Sequence, residues 1–415
     1  MEESTPLITN DAVVLGLLFL ILGFIFKTSS SGNAFWKKFY TYVPAVLMCY
    51  FVPSIFNSLG VISGDHSQLY FVTSRYMLPA CLVLLTLSTD FKEISKLGSK
   101  AIIMFLTGTV GILIGGPLSI LFFSYVAPSV IGAESEEVWR GMTTIAGSWI
   151  GGGANQAAMK EVFQVDDALF SKMVTVDVIV ANIWMAFLLI GAGKSKLMDE
   201  IFKADSSAID EVKDKIEKYR ASISKIPTLT DVMLILAVGF GVTGLAHLMS
   251  DWIAPFLQTN YPELEKYSLT SGFFWLIVIS TTFGLILSFT KLRALEGAGA
   301  SRIGSVIIYL LVATIGMKMN LLAIFESPGL FLVGIVWMLV HITLLLIVAK
   351  IIRAPFFFVA VGSQANVGGA ASAPIVASAF HPSLAPVGVL LAVLGYALGT
   401  YAAYLCGILM QMVSQ

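Results

Sequence analysis

The chain has 415 residues, of which 57% are hydrophobic and only 12% are charged, and its formal net charge is -1. Its mean hydropathy of +0.86 lies far above the range of soluble domains, which predicts a polytopic membrane protein. Without an overall basic field the chain is not expected to bind nucleic acid. It also has no GxxxxGK[ST] nucleotide-binding loop, so ATP is not expected to be its energy source.

Hydrophobic runs long enough to cross a bilayer, about 17 to 25 residues each, recur along the whole chain. In the first half they cover residues 12 to 27, 40 to 62, 69 to 89, 98 to 126 and 172 to 192. In the second half they cover residues 229 to 250, 270 to 290, 303 to 320, 328 to 350 and 385 to 412. We therefore expect five transmembrane helices in each half.

Two glycine-rich segments, 138 to 165 and 354 to 380, interrupt this pattern. They contain the related stretches Gly147 to Ala158 and Gly362 to Pro374, each with adjacent glycines among small and amide side chains. Adjacent glycines weaken a helix and expose backbone groups that lipid cannot hydrogen-bond, so both segments should lie against protein or water. Their recurrence in corresponding places predicts a transporter built from internal repeats.

The distribution of charge between the loops orients the predicted helices. With an external N-terminus, the loops that hold Lys27 to Lys38 and Lys92 to Lys100 are cytoplasmic, and the loop that holds Asp65 is external. The long loop 193 to 228 carries eight Lys or Arg residues and should also be cytoplasmic. One crossing by the first glycine-rich segment would put this loop outside, whereas a segment that returns to its own side of the membrane agrees with every loop. A broken crossing helix together with one missed span is the alternative.

We therefore predict an all-α polytopic membrane protein with two inverted repeats of five transmembrane helices, each with a re-entrant or broken glycine-rich helical hairpin. Residues 1 to 192 form the first repeat with hairpin 138 to 165, and residues 229 to 415 form the second with hairpin 354 to 380. Residues 193 to 228 form a charged cytoplasmic linker with an amphipathic helix between Ile209 and Ile223. Both termini are expected outside the cell.

The two hairpins supply hydroxyl and amide side chains next to exposed backbone groups. The N-terminal end of a helix that follows a glycine break suits a substrate carboxylate. Tight helix packing through small residues is the alternative explanation for the glycines. The predicted substrate-binding residues are Ser148, Asn155, Gln156, Ser363, Gln364, Asn366 and Ser372.

Asp177 lies within the apolar run 173 to 182, where a carboxylate is costly and therefore a functional candidate. Backbone carbonyls at broken helix ends suit Na⁺, and a carboxylate suits Na⁺ or H⁺. The predicted cation-site residues are Gly152, Gly153, Thr175, Asp177, Asn182, Gly368 and Gly369. A structural ion pair with Arg75 or Lys172 is the alternative role for Asp177. His341, in the middle of an apolar run, is either a proton relay or a hydrogen-bonded core histidine.

The stretches Gly151 to Ala158 and Val367 to Pro374 resemble the Gly-Gly-x-Gly re-entrant motifs of the glutamate:sodium symporter and 2-hydroxycarboxylate transporter families. Taken whole, the chain resembles the YjcL-like family of functionally uncharacterised membrane proteins. The resemblance implies an inverted five-plus-five fold, a scaffold and a moving core domain, Na⁺-coupled uptake of a small anion, and commonly a homodimer. Two features depart from the symporter motifs: Ala154 or Ala371 replaces the last glycine, and neither hairpin core has an arginine to hold a dicarboxylate.

The leading functional hypothesis is a secondary active transporter in the bacterial cytoplasmic membrane. It would be a sodium-coupled symporter of a small polar or anionic metabolite, such as an amino acid, small peptide or carboxylate, that works by alternating access. A cation/proton antiporter or an ion channel without an organic substrate is the alternative. An intramembrane enzyme would need Ser148 as nucleophile and His341 as base within hydrogen-bond reach of each other, and we do not expect enzymatic activity.

Overall fold

The computed structural model describes residues 6–131, 135–204, 209, 226–319, 329–381 and 384–414, and all regular secondary structure in these ranges is helical. Among the described residues seven helices are long and apolar enough to cross a membrane, and two bent helix pairs raise that number to nine. Ten spans were predicted, and the predicted span 303 to 320 corresponds to the shorter apolar helix Ala300–Gly316. The predicted all-α polytopic class is confirmed. The inverted symmetry of the two halves stays a prediction. The predicted linker helix between Ile209 and Ile223 lies, apart from its first residue, outside the described residues.

The first half contains six main helices and a helical hairpin. The helices are α1 (Asp11–Ser29), α2 (Ala34–Tyr42), α3 (Ala45–Ser58), α4 (Leu69–Leu87), α5 (Ser99–Val126) and α6 (Asp167–Ala192), with hairpin 1 (Ser135–Val162) between α5 and α6. A short helix, α7 (Ser195–Phe202), follows them.

The second half has five main helices, and its hairpin again lies before the last one. Its helices are α8 (Leu229–Asn260), α9 (Gly272–Ser288), α10 (Ala300–Gly316), α11 (Gly329–Ile352) and α12 (Ala385–Ser414). The arms of hairpin 2 are Phe356–Val367 and Gly369–Phe380, and they lie between α11 and α12.

The predicted span 40 to 62 is divided in the structure. The helix axis turns by 89° between α2 and α3. Pro44 explains the break, because a proline disfavours the helical conformation of the residue before it, and Val43 is indeed extended with φ -118° and ψ 99°. The membrane-crossing part of this region is therefore shorter than predicted, and α2 lies at a steep angle to it.

The helices form two packing groups. In the first, α8, α9 and α10 surround α4, and Gly239, Gly284 and Gly304 bring their backbones close to it. In the second, α5 packs against α11, where Gly111 and Gly115 leave room for His341 and Trp337. The hairpins and α12 belong with the second group. Small residues at these positions allow close approach, which drives helix association where no hydrophobic effect acts between helices in lipid.

Hairpin 1 reverses direction at Gly152, whose φ of 74° and ψ of -175° are outside the helical region. A Cβ atom at Gly147 would lie 2.5 Å from the backbone oxygen of Asn155, so the arms are antiparallel and in close contact. At the base, Arg140 donates a hydrogen bond of 3.2 Å to the carbonyl of Phe163. Both ends of the segment therefore lie together, as a re-entrant segment requires.

Hairpin 2 has the same form. Its two arms meet at Gly368 and Gly369, and Gly369 has a φ of 57° that only glycine adopts without strain. The ring of Phe380 at the end of the second arm lies 5.3 Å from the ring of Phe357 at the start of the first. The base is also attached to α7, because the backbone N–H of Phe356 donates a bond of 2.8 Å to Asp199.

The two hairpins enter from opposite ends of the helix bundle. The base of hairpin 1 contacts the start of α4, where the hydroxyl of Tyr70 donates to Glu161. The base of hairpin 2 lies near the start of α5, where Lys100 donates a bond of 3.0 Å to the carbonyl of Arg353. Because α5 begins shortly after the far end of α4, the two bases are separated by about the length of α4.

The close packing of the arms of hairpin 1 predicts the effect of adding a methyl group. Gly147→Ala should destabilise the protein by about 1–3 kcal/mol, because the new Cβ atom meets the backbone of the other arm. Gly153→Ala is the matched control, since nothing lies within 4 Å of a Cβ atom there. Thermal unfolding of the purified protein measures both variants. Equal transition temperatures for Gly147→Ala and the unmodified protein would contradict this packing.

Candidate ligand site at the hairpin tips

The tips of the two hairpins meet inside the bundle. A Cβ atom at Gly369 would lie 4.0 Å from Cα of Gly152, so the two glycines with positive φ face each other. At each tip a helix ends and another begins, which places backbone carbonyls and N–H groups without helical partners in one small region. These groups can bind an ion or a polar ligand, and lipid cannot satisfy them.

Asp177 of α6 lies beside hairpin 1, 5% exposed, among hydrogen-bond donors. Trp149 Nε1 donates to one carboxylate oxygen over 2.6 Å, and Gln156 Nε2 donates to the other over 2.8 Å. The side chain of Ser148 also hydrogen-bonds to Asp177. Donors from both arms of the hairpin therefore converge on one carboxylate, an arrangement that stabilises its ionised form. Arg75, the proposed ion-pair partner, instead binds Glu161 over 2.9 Å.

Polar residues of neighbouring helices position the second arm of hairpin 1. The hydroxyl of Thr400 in α12 donates a bond of 2.6 Å to Asn155 Oδ1, and Asn155 Nδ2 donates to the carbonyl of Gly151 over 3.0 Å. The hydroxyl of Tyr50 in α3 donates to Gln156 Oε1 over 3.2 Å. Asn155 and Gln156 are thus held by the protein on both their oxygen and their nitrogen atoms.

In hairpin 2, Ser363 and Asn366 are turned toward the helix bundle. Ser363 Oγ lies 2.8 Å from His341 Nε2 and accepts a bond of 2.8 Å from Trp184 Nε1. Asn366 accepts from Thr109 over 2.7 Å and donates to the carbonyls of Phe105 and Gly362, each over 2.9 Å. Both side chains are fully buried, and their hydrogen bonds attach the first arm to its neighbouring helices.

His341 is a hydrogen-bonded core histidine in this structure. It is completely buried, and its Nδ1–H donates a bond of 3.0 Å to the carbonyl of Gly108 while Nε2 faces Ser363. Ser148 of hairpin 1, the nucleophile that an enzyme would need, bonds to Asp177 of α6, while His341 bonds to hairpin 2. The hydrogen bonds of Ser148 and His341 therefore go to different partners.

Gln364 and Ser372 face each other across the tip of hairpin 2. Gln364 Nε2 donates a bond of 2.7 Å to Ser372 Oγ, while Gln364 Oε1 is buried and has no partner among the described residues. Tyr396 of α12 completes this region. Its ring would lie 3.4 Å from a Cβ atom at Gly152, and its hydroxyl bonds to the backbone of Ala370. Tyr396 therefore contacts both tips.

The structure does not bring Thr175 and Asn182 into the hydrogen-bond set of Asp177. The hydroxyl of Thr175 donates over 3.0 Å to Ser171, and Asn182 Nδ2 donates over 2.7 Å to Val178. Both bonds go to backbone carbonyls four residues earlier in α6, the usual local alternative for such side chains in an apolar helix. Gly153 and Gly368, by contrast, lie at the tips and are partly exposed.

A cluster of charged residues lies at the base of hairpin 1, remote from the tips. Lys160 is buried and binds Asp167 over 2.8 Å and the hydroxyl of Tyr70 over 3.0 Å, and Arg75 binds Glu161. Arg75 stands in a π-helical turn of α4, Thr73–Met77, a form of helix irregularity that is frequent at functional sites. The cluster joins hairpin 1 to the α4 packing group.

Another titratable group, Asp199 in α7, is placed at the base of hairpin 2. Partial burial raises the pKa of its carboxyl, while the hydrogen bond from the Phe356 backbone acts in the opposite direction. The raised pKa reflects partial removal of this carboxylate from water where it anchors the hairpin to the start of the linker.

The sequence reasoning missed five residues that bond to or contact the hairpins: Trp149, Tyr50, Trp184, Thr400 and Tyr396. Each is a tryptophan, tyrosine or threonine inside an apolar run, where such residues are most often packing residues. Only Trp149 carried a usable signal, since it lies between Ser148 and the triple glycine. The others act from distant parts of the chain, and only the folded arrangement brings them to the hairpins.

Two opposed helical hairpins whose tips meet among apolar, membrane-length helices define a multi-pass helical membrane protein with a polar site at its centre. The comparisons with known proteins agree with this class. A family described as "Protein of unknown function (DUF819)" matches residues 16–413, and the chain belongs to that family.

A curated relative is similar over most of both chains. It is "Uncharacterized membrane protein YjcL" of Bacillus subtilis (strain 168), which is 25% identical over 369 residues that cover 85% of this chain and 86% of the relative. The predicted resemblance to a YjcL-like membrane protein family is therefore confirmed. The resemblance of the hairpins to sodium symporters stays a prediction.

The ion pair between Arg75 and Glu161 predicts a measurable loss of stability. Glu161→Gln should lower the free energy of unfolding by about 1–3 kcal/mol, because Arg75 and Tyr70 lose a charged partner in a largely buried place. Glu93→Gln is the control, since its partner Lys96 is exposed and only three residues away along the chain. Chemical or thermal unfolding of the purified protein compares the two. A larger loss for Glu93→Gln would contradict the role given to the cluster.

Proposed function

We propose that this protein is a secondary active transporter that moves a small polar or anionic metabolite by alternating access. The observation that carries the proposal is the contact between the two hairpin tips at Gly152 and Gly369. Broken helices that meet from opposite ends of a bundle form a central site that either side of a membrane can reach in turn. Amino acids, small peptides and carboxylates are the substrate classes to test.

We further propose that Na⁺ drives this transport, with H⁺ as the alternative ion. Asp177 fits a cation site because it supplies a buried negative charge beside the break in hairpin 1. A carboxylate has about four lone-pair positions, and three protein donors leave capacity for one more contact. Nearby carbonyls at the end of the first arm would add neutral oxygen ligands, the kind that sodium prefers in broken-helix sites.

The topology and assembly belong to the same proposal. The chain would lie in the cytoplasmic membrane of a bacterium, with both termini external and the linker 193 to 228 cytoplasmic. Two copies of it would form a homodimer. Charge asymmetry between loops supports the orientation, and the resemblance to symporters supports the dimer. Labelling of single cysteines placed near Lys194 and Asp65 by a membrane-impermeant reagent tests the orientation.

A screen of ligands tests the function directly. The purified protein is heated in the presence of amino acids, short peptides and carboxylates, with and without Na⁺, and each ligand that raises the unfolding temperature is then tested for uptake into proteoliposomes. We expect a ligand whose stabilisation depends on the ion and whose uptake follows an imposed Na⁺ or H⁺ gradient. Ion flux without any organic substrate would instead support a cation/proton antiporter or a channel.

Asp177→Asn should abolish ion-coupled uptake while the protein still folds. The substitution removes the charge and turns an amide NH₂ group toward Trp149 or Gln156, both of which are donors, so the local hydrogen bonds also weaken. Asp251→Asn is the control, because it makes the same change of charge at an exposed position of α8. Uptake by Asp177→Asn with unchanged ion dependence would remove Asp177 from the coupling mechanism.

A bulky residue at a hairpin tip should block transport. Gly152→Leu places a branched side chain at a φ of 74°, close to Tyr396 and the tip of hairpin 2, so we expect uptake to be lost. Gly23→Leu in α1 is the control, since nothing lies within 4 Å of its Cβ position. If Gly152→Leu transports as well as Gly23→Leu, the substrate does not pass between the tips.

A further inference from the structure

One buried acceptor at the tip of hairpin 2 lacks a partner. Gln364 is 2% exposed, its Nε2 atom donates to Ser372 Oγ, and its Oε1 atom receives no hydrogen bond from the described part of the chain. Leaving such an oxygen unpaired costs about 1–3 kcal/mol, so a ligand that offers an N–H donor would regain that free energy. The orphaned oxygen therefore points to a donor on the ligand.

Two hydroxyl groups at the tip of hairpin 2 can instead donate a hydrogen bond to a ligand. Ser372 Oγ already accepts from Gln364, and the hydroxyl oxygen of Tyr396 already accepts from the backbone N–H of Ala370. Each hydroxyl therefore has its own proton available to donate. The groups lie within a few residues of Gly369, where hairpin 2 meets hairpin 1.

The hairpin tips contribute no charge of their own. The stretches 147 to 158 and 362 to 374 contain no Asp, Glu, Lys, Arg or His. The carboxylate of Asp177 is held by Trp149 and Gln156, and the cations Arg75 and Lys160 bind carboxylates at the base of hairpin 1. A ligand with two negative charges would have no opposite charge in this region, and burying it would be costly.

We infer that the junction of the tips binds a small zwitterion whose ammonium group donates to Gln364 Oε1 and whose carboxylate accepts from the hydroxyls of Ser372 and Tyr396. This inference rests on the proposed transport function and narrows its substrate to amino acids or very short peptides, as opposed to dicarboxylates. Tyr396 is then a substrate-binding residue on α12, since its ring borders Gly152 and its hydroxyl reaches the tip of hairpin 2.

Matched ligands test this inference on the full chain in detergent with Na⁺ present. Each of a panel of L-amino acids is compared with the acid that lacks its amino group and with the amine that lacks its carboxylate, and diglycine and succinate are included. We expect at least one amino acid or diglycine to raise the unfolding temperature saturably, with an affinity tenfold or more above that of its two truncated analogues.

Two variants connect this binding to the named side chains. Gln364→Leu and Tyr396→Phe should each reduce the affinity for the zwitterion about tenfold or more, because each loses one hydrogen bond to a charged group. Tyr401→Phe is the matched control on the same helix, since its hydroxyl bonds to Thr282 and faces away from the tips. Unfolding temperatures without ligand verify that all three variants are folded.

The outcomes separate this inference from the transport proposal. Tighter binding of succinate than of any amino acid or diglycine, or unchanged affinity in both Gln364→Leu and Tyr396→Phe, overturns the zwitterion site and leaves the transporter proposal in place. A chain that binds no member of the panel and takes none up into proteoliposomes overturns both.

Discussion

The fold depends on one constraint: two helices are broken in the interior of a membrane protein, and their free backbone groups need partners that lipid cannot give. Each break lies at a glycine with positive φ, Gly152 or Gly369, and the structure places the two breaks against each other. Tyr396 and Gly395 of α12 cover them from one side. The polar region that results is enclosed by protein and combines free main-chain groups with the side chains of Gln364 and Ser372.

Few ionisable side chains lie near the hairpin tips among the described residues. Lys160, Arg75, Glu161 and Asp167 pair with one another at the base of hairpin 1, where water can reach part of the cluster. Asp177 is the exception, and it accepts hydrogen bonds from the neutral donors Trp149 and Gln156. The proposed cation site depends on this carboxylate, because neutral donors do not cancel its negative charge when it is ionised.

Much of the architecture could be predicted from the sequence, because hydropathy and glycine spacing report directly on what lipid tolerates. The helix order and both hairpins follow from this, and so does the choice of Asp177 as an unusual buried charge. Ser148 and Gln156 were predicted as site residues, but Trp149 as a donor to Asp177 and Tyr50 as a donor to Gln156 could not be, since such residues look the same in sequence whether they pack or bind. Among the predicted site residues, Ser363 and Asn366 face the bundle interior and Gln364 faces the tip. Adjacent positions on a helix point about 100° apart, and without the neighbouring helices no pattern showed which direction was inward.

The packing of α12 has a mechanical consequence. A Cβ atom at Gly395 would lie 2.7 Å from the carbonyl of Ile150 in hairpin 1 and 3.4 Å from that of Ala365 in hairpin 2, and Thr400 also holds hairpin 1. Both hairpins are thus packed tightly against α12, so any movement of α12 would move them with it as one unit. The contact between this unit and the α4 group includes the charged cluster at the base of hairpin 1, where Arg75 and Tyr70 of α4 bind Glu161, and the hydrogen bond between Thr281 and Thr400. Movement of this unit along the α4 group would therefore have to break the bonds of Glu161 first, so this cluster holds the hairpins in the arrangement seen here.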